Sequence, residues 1–316
     1  MITIDCLRKQ NAETSNAIIQ HFASNEKFKK LSTSEGTLIQ QRDAEDDEKL
    51  QKGINLAIDK GVLSKDFVPE QYIKIDVLGK TADAVADEIL GHVATNGEKS
   101  AVIVICGLSG TGKGTTVSKL REKISKEGKQ VVCWSNGNIF RSVTLLAATW
   151  CEQNCEGGSF DADKCLSKDN LASFMDMLEF GEFNGKYDTR IKGLGLDLHV
   201  SEVQNTDLKV PKVAKNIPTV AEVTQGEVVL FAADAIQVLG ANGFNVLLEG
   251  REQTVNYVRT KNRFTLVLSD ESLIGMRRAA QRMMAGALKS IGDADAGDTA
   301  VEKSLVDTLE TMVAEI

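Results

Sequence analysis

Residues 107–116 read Gly-Leu-Ser-Gly-Thr-Gly-Lys-Gly-Thr-Thr, the stretch of the chain best suited to chemistry. The run Gly107-x-x-x-x-Gly112-Lys113 matches the P-loop pattern, with Gly114 where a Ser or Thr usually stands and Thr115 and Thr116 behind it. Glycines let successive backbone N–H groups turn inward around an anion, and a helix starting there adds the positive end of its dipole. Lys113 is then placed to reach nucleotide β- and γ-phosphates. The candidate ATP-binding residues are Gly107, Leu108, Ser109, Gly110, Thr111, Gly112, Lys113, Gly114, Thr115 and Thr116. The competing reading is a glycine turn with a purely structural role.

The neighbouring sequence supplies the elements such a loop needs. Residues 100–106 form a short apolar, β-branched run, as expected of a parallel strand buried on both faces, and 117–124 read as a helix. Further strands are expected over 130–134, 243–248 and 263–268, with helices over 139–150, 171–178, 220–239 and from Ser269 to about 284. Two strands of a small subdomain are expected at 186–192 and 196–200, and loops at 152–170 and 292–298. Ahead of the glycine loop, 1–40 give weak signals and 43–58 read as a charged helix. Residues 72–76 read as a strand, and 81–90 as an amphipathic helix capped by Thr81. Alternating strands and helices imply an α/β fold: a parallel sheet with helices on both faces.

Composition narrows the setting. Asp+Glu 45 against Lys+Arg 37 gives a net charge of −8, which disfavours general binding to nucleic acid or anionic membrane, so a phosphate site must be local. No sequence run approaches the ~20 apolar residues of a membrane span. Six scattered cysteines and no secretory pattern at the start imply a cytoplasmic or other reducing compartment. Cys151, Cys155 and Cys165 cluster, but a tetrahedral zinc site would want a fourth ligand, and His21, His92 and His199 are distant in sequence. Ordinary thiols are expected.

Gly-Lys-Gly-Thr is a form of the loop that resembles nucleoside monophosphate kinases, and later stations narrow the resemblance to the cytidylate kinase family. Asn136-Gly-Asn-Ile-Phe-Arg141 is similar to that family's Ser-Gly-Ala-Ile-Tyr-Arg segment, and Val213-Ala-x-x-x-Pro218-x-Val220 to its helix near the base pocket. Leu248-Glu-Gly-Arg-Glu-Gln-Thr254 resembles its Asp-Gly-Arg-Asp-Met-Gly-Thr signature, and Arg277-Arg278 the paired arginines that open its lid. These matches span roughly 101–285 in family order. The remaining pieces stand at the other end of the chain. Arg42-Asp43-x-x-Asp46-x-x-Lys49 resembles the lid sequence Arg-Asp-x-x-Asp-x-x-Arg, and 72–76 with 81–90 resemble the last strand and helix. The expectation is a circularly permuted P-loop kinase with a nucleoside-monophosphate-binding insertion and a lid, its final strand and helix supplied from the N-terminal region. A segment completing a neighbour's fold and a plain helical extension are the alternatives. The expected divisions are 1–95, 96–150 (loop core), 151–225 (insertion), 226–290 (rest of the core) and 291–316 (acidic helix).

The resemblance implies ATP-dependent phosphoryl transfer to a nucleoside monophosphate, CMP or dCMP. Lys113, Arg42, Arg277 and Arg278 would be catalytic; Asn136, Gly137, Arg141, Arg251, Glu252 and Asp46 would hold the acceptor. Magnesium would arrive with ATP, held by phosphates and water with Thr115, while Glu249 orients metal-bound water or caps a turn. Where the family reads cytosine with Ser, Arg and Asp, this chain offers Pro211, Ala221 and Glu252, and Lys49 replaces a lid arginine. A missing hydrogen-bonding partner shifts specificity strongly. Two other functions stay open: a P-loop kinase with a different small-molecule acceptor, and a nucleotide-binding scaffold with weak or no catalysis. In the scaffold reading the acidic 152–170 and 292–316 segments would meet a protein partner.

Overall fold

The computed structural model describes residues 2–93, 100–292 and 296–316. Among the described residues the strands are β1 (Ile73–Asp76), β2 (Val102–Gly107), β3 (Val131–Trp134), β4 (Leu178–Phe183), β5 (Lys186–Gly193), β6 (Leu196–His199), β7 (Asn245–Glu249) and β8 (Arg263–Val267). Five of them form one parallel sheet in the order β1-β8-β2-β7-β3, with the strand that feeds the glycine loop at its centre. The continuous apolar character of β2 follows from this position. Ile103 and Ile105 face helices Ala82–His92 and Lys113–Lys126, while Val104 and Cys106 face helices Asn136–Asn154 and Ile217–Ala241. β1, from the N-terminal region, forms the sheet edge beside β8, with Ile75 opposite Leu266. Thr81 caps the helix that follows it, accepting from Ala84 N at 3.2 Å.

β4, β5 and β6 make a separate antiparallel sheet. Here the expected helix over 171–178 is corrected. It occupies Lys168–Asp176, and Leu178 starts β4, because Lys192 N donates to Met177 O at 2.8 Å and draws the apolar run into the small sheet. Residues 152–170 also hold more order than a loop, with a turn of helix at Glu156–Gly158 and a short helix at Ala162–Cys165. The helix expected from Ser269 begins at Ser272, since Asp270 accepts from both Ser272 N and Oγ.

The expected divisions at 150/151 and 225/226 cut through helices Asn136–Asn154 and Ile217–Ala241, so the insertion is rooted in core helices at both ends. The division at 95/96 and residues 293–295 of the 292–298 loop lie outside the described residues. Helix Ile217–Ala241 is apolar and long enough to cross a membrane; half of its apolar window is buried against the rest of the protein.

The stretch 1–40, weak in signal, holds three helices among its described residues: Ile4–Lys9, Ala12–Phe22 and the start of the 34-residue helix Glu26–Asp59. Together with helices Ser272–Ile291 and Asp298–Ala314 they enclose a core of their own, built from Leu7, Ile18, Phe28, Leu31, Met283 and Leu305. The long helix leaves this bundle and crosses the glycine loop as a strap. Asn25 caps its start through Lys27 N and Phe28 N. A methyl group on Gly275 would overlap the Ser32 carbonyl oxygen, so only glycine permits the close crossing with Gly36. The far end is fixed where Ile54 and Ala57 pack with Leu63 and Val229.

Candidate functional site

β2 ends at Gly107, whose neighbour across the sheet is Leu266 of β8. A Cβ on Gly107 would lie 2.5 Å from the Leu266 carbonyl oxygen, so strand pairing itself demands glycine there. Gly110 and Gly112 take φ of 83° and 87°, the left-handed region that turns the loop into helix Lys113–Lys126. Lys113 Nζ folds back into the loop, donating to Gly107 O at 2.8 Å and Leu108 O at 2.9 Å. Burial is the main cause of its lowered pKa, and the nearby Arg251 charge adds to it.

The strap helix delivers Asp43 onto this loop. Its carboxylate accepts from Ser109 N and Ser109 Oγ, each at 2.7 Å, and from Arg251 Nη2 at 2.6 Å. Burial pushes the Asp43 pKa up, but the Ser109 and Arg251 hydrogen bonds outweigh it and hold the group below the ordinary aspartate value. Asp46 and Asp47 stand 3.6 and 3.4 Å from the same guanidinium. Arg42 Nη2 donates to Ser109 Oγ at 3.1 Å, and Arg277 Nη1 to Gly110 O at 3.2 Å. Arg42, Arg251, Arg277, Asp46 and Lys113 are thus gathered around one loop.

Arg278 is not. It turns to Glu35 of the strap at 3.9 Å, where Arg282 also bonds the same buried carboxylate, so it pins the strap to helix Ser272–Ile291. That corrects its expected place over the loop. One residue along a helix rotates a side chain by about 100°, and here Arg277 alone takes the loop-facing position.

The turn carrying Arg251 is braced from beneath by Arg263, which is fully buried. Arg263 donates to Val258 O, Val255 O, Asn256 Oδ1 and the Tyr72 hydroxyl, and stacks 4.6 Å from the Tyr72 ring. No carboxylate among the described residues pairs with it; backbone carbonyls at the end of helix Glu252–Val255 take its charge instead. A cavity of about 240 Å³ opens above the carboxyl ends of β2 and β8, lined by Gly107, Thr111, Arg251, Glu252, Leu266 and Ile274 among others. Crevices at the carboxyl ends of strands, where strand order reverses, are the usual ligand sites of open α/β sheets.

On the other side of the loop, helix Asn136–Asn154 presents Asn136, Gly137 and Arg141 from its first turns. Trp134 Nε1 fixes Asn136 at 2.8 Å, and Arg141 Nη1 reaches Asn138 Oδ1 at 3.3 Å. Leu145 and Thr149, one and two turns beyond Arg141 on the same helix face, line a second cavity of about 520 Å³ with Leu198, Val210, Pro211 and Lys212. The three positions expected to meet a base are therefore separated. Pro211 lines the second cavity, Glu252 the first, and Ala221 packs against the main core.

Glu249 closes β7 opposite the loop. Its carboxylate oxygens stand 3.8 and 3.9 Å from where a Cβ on Gly114 would be, so the acid lies close to the first turn of helix Lys113–Lys126. Thr115 is exposed in the first turn of that helix. Burial pushes up the pKa of the Cys155 and Cys165 thiols, Cys165 to about 12, with the contact to Cys151 adding to it in both. Sequence reasoning missed Asp43 and Asp47 as site residues. The signal was present: Asp43, Asp46 and Asp47 are spaced i, i+3 and i+4, which puts them on one helix face.

No protein-family model matches the chain, and no curated protein matches it.

Proposed function

We propose that the protein is a P-loop kinase that transfers the terminal phosphoryl group of ATP to a nucleoside monophosphate, CMP or dCMP, on a circularly permuted chain. One observation carries the reading. A glycine loop at the centre of a parallel sheet holds its lysine in its own mouth, with Arg42, Arg251 and Arg277 arriving from three separate elements. Phosphoryl transfer asks mainly for positioning and for positive charge around the transferring oxygens, and this set offers both. The pairing of β1 with β8, with β1 lying ahead of the loop in sequence, supports the permuted order.

In this reading Lys113 exchanges its two carbonyl partners for phosphate oxygens. The loop amides and the helix N-terminus take the rest of the donor's charge. Arg42 and Arg277 lie over the loop, and Arg141, early in helix Asn136–Asn154, is the fork for the acceptor's phosphate, joined by Arg251 once its carboxylates yield. Glu249 and Thr115 are the protein groups suited to a magnesium ion brought by ATP. When bound, that ion would neutralise phosphate charge while keeping several of its own waters.

A second reading, nucleotide binding with little turnover, draws on the commitment of Arg278 to Glu35 and of Arg251 to three aspartates. An ADP-release assay with CMP, dCMP, UMP, AMP and GMP, run beside ATP calorimetry, separates the two. Turnover with a pyrimidine monophosphate supports the kinase. Heat of binding with no turnover on any acceptor selects the second reading, and no heat with ATP or ADP ends both.

A further inference from the structure

The glycine loop holds an anion already. Asp43 is buried, and its carboxylate is met by a backbone amide, a hydroxyl and a guanidinium, all within 2.7 Å. Amide, hydroxyl and guanidinium are the donors that recognise phosphate oxygens, and the amide belongs to Ser109 of the loop itself. We infer that Asp43 is a built-in competitor for the phosphate site: it occupies Ser109 and Arg251 in the resting protein, and a nucleoside di- or triphosphate must displace it to bind. This rests on the proposed nucleotide reading and adds the residue that sets its affinity.

The geometry leaves few ways round the competition. A phosphate taking the Ser109 amide would bring a second anion against the carboxylate, and like charges at contact distance in a buried site repel strongly. The strap cannot carry Asp43 away as a rigid body, because the Gly36–Gly275 crossing holds it on one side of the loop and the packing of Ile54 and Ala57 holds it on the other. The side chain must therefore rotate out, breaking its three bonds. Doing so also frees Arg251 from its closest partner, so donor binding releases a cation on the acceptor side. The same carboxylate thus links the two halves of the site.

The test is calorimetry of the full chain with ATP and with ADP, comparing the wild type with Asp43→Asn and with Glu45→Gln. Glu45→Gln removes the same charge from an exposed position of the strap. Asp43→Asn is expected to bind both nucleotides about tenfold more tightly, the scale of one charge-assisted hydrogen bond no longer displaced. Glu45→Gln is expected to stay within about twofold of wild type, because exposed charges at that range are screened. Equal or weaker binding by Asp43→Asn, with the wild type binding normally, overturns the inference and leaves the kinase reading intact. Failure of every chain to bind removes both. If Asp43→Asn does not fold, Ser109→Ala is measured instead: it removes only the hydroxyl contact and should gain a smaller factor in the same direction, and no gain there overturns the inference equally.

Discussion

Around the glycine loop nearly every charge has a partner: Lys113 on two carbonyls, Asp43 on Ser109 and Arg251, Arg277 on the Gly110 carbonyl. On the far side Arg141 makes one long contact with a neutral amide, and among the described residues no carboxylate pairs with it. The first side resembles a site whose ligand is replaced by the protein's own groups; the second is a cation left available. An anion reaching the loop must exchange existing hydrogen bonds, so its net gain is small and its dependence on each partner large. An anion reaching Arg141 displaces mainly water. Under the proposed kinase reading, substitutions on the two sides should separate donor from acceptor behaviour.

The largest effect is expected from Lys113→Ala. Removing the only lysine in the loop should cost about a thousandfold in kcat/KM, roughly 4 kcal/mol of transition-state stabilisation. Acceptor affinity measured by calorimetry with CMP should be nearly unchanged. Loss of acceptor binding in this variant would erase the division between the two sides.

Next comes Gly275→Ala, which tests what holds the paired side together. Its methyl group would strike the Ser32 carbonyl, and separating the two helices should cost about 3 kcal/mol of stability in urea denaturation. Because the strap then sits further from the loop, ATP affinity in the folded variant should rise or hold. Unchanged stability would mean that the crossing is looser than the glycine pair implies.

Arg141→Ala sharpens the contrast from the other side. About 2 kcal/mol, the scale of a hydrogen bond to a charged group, should appear as roughly a thirtyfold rise in acceptor KM, with ATP affinity unmoved. A fall in ATP affinity of similar size would place Arg141 on the donor side instead.

The sheet was readable because its strands carry local patterns that need no distant partner to be recognised: apolar or β-branched runs in β2, β3, β7 and β8, and the alternation Tyr72-Ile-Lys-Ile-Asp76 in β1. The terminal bundle was not. Leu7 and Ile18 sit in helices of 6 and 11 residues, too short for a clear period, and their partners Met283 and Leu305 lie at the other end of the chain. β4 was masked because Leu178 also completes a helical spacing with Leu171 and Phe174. In the site, motif residues gave Lys113, Arg141 and Arg251 their neighbourhoods. The diversion of Arg278 depends on Glu35, a strap residue that no local pattern links to it.

The smallest effect concerns the acid side of the stability profile. Ser109 and Arg251 depress the Asp43 pKa below its unfolded value, so its contribution is complete above the ordinary aspartate range. As pH falls through the lowered folded value, the carboxylate protonates, accepts fewer charge-assisted bonds and the contribution disappears. The stability difference between wild type and Asp43→Asn should therefore stay level from pH 7 to about 5 and shrink below about 4, where unperturbed aspartates titrate. Thermal unfolding of both proteins across that range reads it directly. Arg141→Ala should show no such acid limb relative to wild type, because among the described residues no carboxylate pairs with Arg141. A difference for Asp43→Asn that persists undiminished at pH 3 would mean that its bonds to Ser109, rather than its charge, hold the loop side closed.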